Sequence, residues 1–324
     1  MEGNDACQIG RPAINPPNLT AVCFLALHPP IWHTALLFAA AAVAGAVNSV
    51  AGGGTLLTFP TLIWLGVPAK IANATSTVAL WPGALSSLWG YRSEMAGSRA
   101  WLIRFGSVSI GGGLLGARLL LRTRSDVFEA LVPYLILMAS LLFLAQEPIS
   151  RWLRRRQASG VRRQASGVRR QTGEDLAMAV GTGSPRDDPA AARPIRSSGH
   201  HPIRSSHLAV GLLFQFAVAV YGGYFGAGIG ILMLAALGLM GMDQIHRMNG
   251  VKNFAALCIN GVAAATFIAG GAVDWPLALL MAMGAILGGY AGAGTARRLG
   301  PRTVRRLIIA IGLGIGLSML LRAR

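Results

Sequence analysis

The sequence predicts an all-α, polytopic membrane protein built as an inverted repeat of two units, each a re-entrant or broken helix hairpin plus three transmembrane helices. Three observations carry this. The mean hydropathy is +0.52, with 53% hydrophobic and only 13% charged residues over 324 positions, about half the charge of an average soluble domain. Six apolar segments are long enough to cross roughly 30 Å of hydrocarbon. The chain also matches itself at an offset of 176 residues.

The six segments are Ala72–Tyr91, Trp101–Leu121, Val127–Ala145, Val251–Ala269, Trp275–Ala296 and Thr303–Leu321. Two further apolar runs, His33–Gly66 and His207–Met240, are longer. As straight helices they would measure about 51 Å, too long for one crossing and short for two. Glycines interrupt both, as "AGGG" from Ala51 and "GAGIG" from Gly226. Each glycine inside a helix costs roughly 0.5–1 kcal/mol relative to alanine, so the backbone is expected to leave the helix there.

The offset places Gly54 on Gly230, Asn73 on Asn249, Gly112 and Gly113 on Gly288 and Gly289, and Gly116 on Gly292. Three crossings after each hairpin make an odd number, which inverts the second copy relative to the first. The positive-inside rule then puts Arg297, Arg298, Arg302, Arg305 and Arg306 in the cytoplasm and the loop around Asp274 outside. Arg92, Arg99 and Arg104 agree; Arg122 and Arg124 fall outside, against the rule.

The chain divides into a flexible N-terminal tail at 1–30, membrane repeat 1 at 31–150, a disordered Arg-rich cytoplasmic linker at 151–206, and membrane repeat 2 at 207–324. The tail carries five prolines and no basic region followed by an apolar core, so no cleavable signal peptide is expected. The linker contains "QASGVRR" twice, at Gln157 and Gln164, and "PIRSS" twice, at Pro194 and Pro202. Such polar copies bury too little apolar surface to offset ordering entropy. Its 12 arginines against Glu174, Asp175, Asp187 and Asp188 supply nearly half of the formal charge of +17, so that charge does not point to nucleic acid. Cys7, Cys23 and Cys258 have no metal or disulfide spacing, and no metal or cofactor is expected.

Irregular backbone at membrane depth is tolerated where it lines a cavity, and paired broken helices place a substrate site at their junction. Gly52, Gly53, Gly54 and Thr55, and Gly228 and Gly230, would present backbone N–H groups at the starts of two half-helices, which attract anions. The alternative, close helix packing, is preferred for the GxxxG spacings Gly112/Gly116, Gly284/Gly288 and Gly288/Gly292. After each hairpin a membrane helix opens on polar residues, "NATST" at Asn73 and "NGVKN" at Asn249. Asn73, Thr75, Ser76, Asn249 and Asn253 offer neutral ligands to an oxyanion, or the asparagines cap their helices. Lys70 and Lys252 are the chain's two lysines. Lys252 either supplies a full charge to the site or snorkels to the headgroups. Asn48 is close enough in sequence to line the first break, and Gln215 is expected to bond across helices. Neither Gly-x-Ser-x-Gly nor His-Glu-x-x-His occurs, so no catalytic residue is assigned and the protein is not read as an enzyme.

The stretch "LLTFPTLIWLGVPAKIANATSTVALWPG" after the first break, its second-copy partner "GGYFGAGIGILMLAALGL" with "MNGVKNF", and "GAVDWPLALLMAMGAILGGYAGA" resemble the sulfite exporter TauE/SafE family. The resemblance covers about 35–152 and 207–321. It implies a multi-pass permease of the bacterial inner membrane that moves small anions such as sulfite, sulfoacetate or other organosulfonates, as a secondary transporter and exporter. Its partners would be the anionic substrate and the lipid bilayer; homo-oligomerisation is left open. Uptake of another small organic anion or a neutral solute is the alternative, and a non-transport assembly protein a lesser one. The duplicated linker is a departure from the family pattern, as is "GSRAW" where the second copy has "GAVDW".

Overall fold

The computed structural model describes residues 31–50, 53–90, 99–146, 205–240, 244–299 and 301–322, together with 148, 151 and 242. The tail at 1–30 and the linker from 152 to 204 lie outside the described residues, as does Gly52. The first copy forms α1 (Ile31–Val50), α2 (Thr55–Trp64), α3 (Ala69–Gly90), α4 (Arg99–Arg122) and α5 (Ser125–Gln146). The second forms α6 (Ser205–Tyr224), α7 (Ile229–Leu239), α8 (Ile245–Ala269), α9 (Trp275–Leu299) and α10 (Pro301–Arg322). No strand occurs among the described residues. Ile31–Asn48, α4, α5 and Arg247–Ala269 are long and apolar enough to cross a membrane, where helices satisfy their own backbone groups.

Neither long apolar run is one helix. The 10-residue α2 is about 15 Å long, half the thickness of the hydrocarbon. Trp32 at the start of α1 meets Trp64 at the end of α2 edge to face, ring centroids 6.0 Å apart, so the chain goes in and comes back to its starting level. Both rings are exposed, as tryptophans at a headgroup boundary are. In the second copy Gly211 near the start of α6 backs onto Met240 just after α7, the same return. The turns need glycine: Gly53 has φ +106° and Gly228 has φ +79°, a region where a side chain is strained. Pro60 lies inside α2 and does not end it.

The two copies interlock by exchange. The most extensive contact of α1 is with α9, and that of α6 is with α4, the equivalent pair with the copies swapped. Contacts of α4 with α8 and of α9 with α3 swap in the same way. Gly112 and Gly116 let α4 approach the backbone of Phe216 and Val220, and Gly284 and Gly288 let α9 approach Phe38 and Ala42. These GxxxG spacings serve packing, without a Cβ to hold the helices apart. Gln215 bonds across the same seam, its Nε2 donating to Ser109 Oγ at 3.0 Å.

The equivalent helices α3 and α8 run antiparallel. Asp274 N, just past α8, donates to Thr75 Oγ1 near the start of α3 at 3.0 Å, and Trp81 Nε1 donates to Leu257 O at 3.3 Å farther along. Lys70 donates through Nζ to Leu121 O (3.0 Å) and Thr123 O (2.7 Å), the carbonyls at the end of α4. A cation there complements the negative end of the helix.

One expectation is corrected: Asn73 and Asn249 do not cap their helices. Helix α3 starts at Ala69, where the carbonyl of Pro68 takes Ala72 N at 2.8 Å, and α8 starts at Ile245, where Gln244 O takes Met248 N at 2.9 Å. Both asparagines therefore stand one turn inside, where their own N–H groups belong to the helix.

A methyl or larger group at Gly288 would strike the backbone of Ala42, whereas Gly314 on α10 has open space around it. Gly288→Val is expected to destabilise the protein by about 1–3 kcal/mol or more. Gly314→Ala should leave it unchanged or gain about 0.5–1 kcal/mol. Melting temperatures of the two variants in detergent compare them directly.

Candidate functional site

The two breaks converge on one cavity of about 70 Å³, room for roughly five water-sized groups. Asn48, Gly53 and Thr55 line it from the first hairpin, and Gly226, Gly228, Ile229 and Gly230 from the second. One wall is the face of α3 carrying Thr77, Leu80 and Ala84; the other is the face of α8 carrying Lys252, Asn253, Ala256 and Asn260. Spacings of three, four and seven or eight residues put each set on one side of its helix. The α3 set lies about 12–22 Å along a helix of about 33 Å, so the cavity lies near the middle of α3.

Its lining repeats. At the offset of 176 residues Thr77 pairs with Asn253, Leu80 with Ala256, Ala84 with Asn260, and Gly53 with Ile229, all of them lining residues. The cavity is therefore lined by equivalent positions of both copies.

Its polar lining is mostly amide. Asn48 Oδ1 accepts Gly54 N–H at 2.8 Å, which ties the end of α1 to the start of α2 and leaves the Asn48 NH₂ donors free for the cavity, while the Thr77 hydroxyl donates to Asn73 O at 2.9 Å. At the start of α2 the N–H groups of Leu56, Leu57 and Thr58 turn back onto Gly53 O and Gly54 O. At the start of α7 Ile231 N bonds Gly228 O at 3.2 Å, leaving Ile229 and Gly230. Helix starts carry about half a positive charge. Lys252 adds a whole one: it is 7% exposed, and among the described residues the one ion pair is Arg124–Asp126, on the surface. The position equivalent to Lys252 is Ser76, whose hydroxyl is engaged with Thr58 Oγ1 at 2.6 Å. The symmetric frame thus holds one ammonium, on one side.

Of the residues read from the sequence, Asn48, Gly53, Thr55, Gly228, Gly230, Lys252 and Asn253 come together around the cavity. Gly54 stands behind it, bonded to Asn48. The other first-copy residues are engaged in tying the copies and helices together: Asn73 Nδ2 donates to Tyr224 O at 3.0 Å, Thr75 accepts from Asp274, and Ser76 meets Thr58. Asn249 is half-buried and outside the lining. Thr77 and Asn260 are lining residues that sequence reasoning missed. Helical spacing alone could have found them: Thr77 is one turn beyond Asn73, and Asn260 two turns beyond Asn253.

The sequence profile described as "Sulfite exporter TauE/SafE" matches residues 37–319, a span holding both breaks and the entire cavity. The chain belongs to the TauE/SafE family. It is 27% identical over 280 residues to a "Probable membrane transporter protein" of Haemophilus influenzae, covering 85% of this chain and 89% of that one. A "Probable membrane transporter protein ORF9" of a Sinorhizobium species is 24% identical, covering 88% and 92%. "Probable membrane transporter protein YfcA" of Escherichia coli K12 is 23% identical, covering 85% of each chain. No solved structure matches. The family and the helices together make this a multi-pass membrane transporter.

Asn48 separates the scaffold of this TauE/SafE cavity from its lining. Asn48→Asp keeps the acceptor for Gly54 N–H but replaces the donors with negative charge. It is expected to melt near wild type. Asn48→Leu removes the acceptor and should cost about 1–3 kcal/mol for the unsatisfied N–H. Melting curves in detergent distinguish the two.

Proposed function

We propose that this protein is a secondary transporter, working as an exporter, of small anions such as sulfite, sulfoacetate or other organosulfonates in a bacterial inner membrane. One observation carries the reading: the buried ammonium of Lys252 lines a cavity between the two copies that is otherwise furnished with asparagine amides and two helix starts. A buried charge without a counter-ion is costly, and an anionic substrate relieves that cost. Export of one negative charge is favoured by about 2.3 kcal/mol per 100 mV of membrane potential, so no coupling ion is needed to drive it.

The antiparallel course of α3 and α8, and hairpins that each return to their starting level, support inverted copies. With the Arg-rich turn between α9 and α10 in the cytoplasm, the Asp274 loop and the start of α3 face outward. In a Cys-free background, an impermeant thiol reagent added to whole cells should label Asp274→Cys and spare Pro301→Cys. The reverse pattern overturns this orientation.

The test of function is anion counterflow in proteoliposomes. Lys252→Met keeps most of the side chain's length and deletes its charge. The loss of a charge-assisted hydrogen bond, about 1.5–3 kcal/mol, should weaken apparent affinity roughly 10- to 150-fold. Lys252→Arg, which keeps the charge in another shape, should retain part of it. Wild-type counterflow by Lys252→Met would remove the lysine from the site.

A further inference from the structure

The two ends of the cavity are closed to different degrees. Toward the start of α3, the residues from Asn73 to Ser76 are buried at 0–1% exposure. Above them Phe59 of α2 meets Phe225 of the second break edge to face at 5.3 Å, and both rings are buried. Tyr224 packs on Phe128 at 5.7 Å, and its backbone carbonyl receives Asn73 Nδ2. This end thus holds a layer of aromatic rings and two inter-copy hydrogen bonds, Asn73 Nδ2 to Tyr224 O and Asp274 N to Thr75 Oγ1.

In the second copy Gly250, Val251 and Lys252, equivalent to Ala74, Thr75 and Ser76, are buried too, and the difference lies at two positions: Asn249, equivalent to Asn73, is half-buried and has no hydrogen-bond partner among the described residues, and Ala235, equivalent to Phe59, is half-buried and presents no ring. Two equivalent asparagines in two environments are what a repeat looks like when one of its two halves is shut.

We infer that Asn73, Phe59, Tyr224 and Phe225 form a gate that closes the cavity on the face where α3 begins. When that gate opens, the opposite face closes by the equivalent move, and Asn249 bonds the backbone at the end of α1 as Asn73 now bonds Tyr224 O. The inference rests on the cavity being the transport path, the reading proposed above. In that reading the gated face is the outer one, and the present conformation opens toward the cytoplasm. Asn73 is then a positioning residue: it holds one conformation and does not touch the substrate.

The test reads access to the cavity and needs no transported substrate. Ala84 lines the cavity, so Ala84→Cys in a background without Cys7, Cys23 and Cys258 reports its exposure. An impermeant thiol reagent is added to spheroplasts, for the outer face, and to inside-out vesicles, for the inner face. The starting protein should label from the inner face. Adding Asn73→Leu, which removes the bond to Tyr224 O, should raise outer-face labelling about fivefold, the population change carried by one ordinary hydrogen bond. Phe225→Ala should act in the same direction, and Asn249→Leu should not. The last variant should instead shift labelling further toward the inner face or leave it unchanged. Detergent melting curves confirm that each variant is folded, and Phe225→Ala serves where Asn73→Leu is not. Outer-face labelling that stays at the starting level in both gate variants overturns the gate, whatever the counterflow assays show. Loss of counterflow in Lys252→Met with no change in access would leave the transport reading standing without it.

Discussion

A backbone that leaves the helix inside hydrocarbon has to find every hydrogen-bond partner within the protein, and the rest of this structure is arranged around that requirement. At the first break Asn48 Oδ1 takes the N–H of Gly54. At the second, Tyr221 donates its hydroxyl to Ala227 O at 2.8 Å, and Asn73 reaches over from the other copy to Tyr224 O. The same economy explains why the helices pack so closely on glycine: a cavity between the copies stays enclosed only if the scaffold around it has little slack.

The global plan was legible because hydrophobic length and glycine placement act over tens of residues. The overlong run from His33 to Gly66 could not be one straight helix, and the triple glycine said where it would break. The offset of 176 residues was equally plain, and it placed Asn73 and Asn249 at equivalent depth. The sequence did not say that Asn73 would be engaged by Tyr224 O while Asn249 would not, because that difference arises from contacts between copies. It also did not single out Thr77 or Asn260, since a polar residue on a membrane helix gains its meaning from the element packed against it. Lys70 illustrates the same limit: beside a polar helix opening it looked like a twin of Lys252, yet its ammonium is committed to the last carbonyls of α4.

Symmetry and departures from it have separate roles. The exchanged contacts of α1 with α9 and of α6 with α4 pair equivalent helices across the copies. The departures are local: a ring at Phe59 where the second copy has Ala235, and a hydroxyl at Ser76 where it has Lys252. These few side chains are where the two copies differ most in what they present to each other.

The pairing of Ser76 with Lys252 also bears on stoichiometry. An assembly of two identical, separately made halves would place the same residue at both positions, giving either no ammonium or two of them across a cavity of about 70 Å³. Two would repel each other at close range in a medium of low polarity. Joining unequal halves in one polypeptide permits an odd number of charges in a two-fold frame.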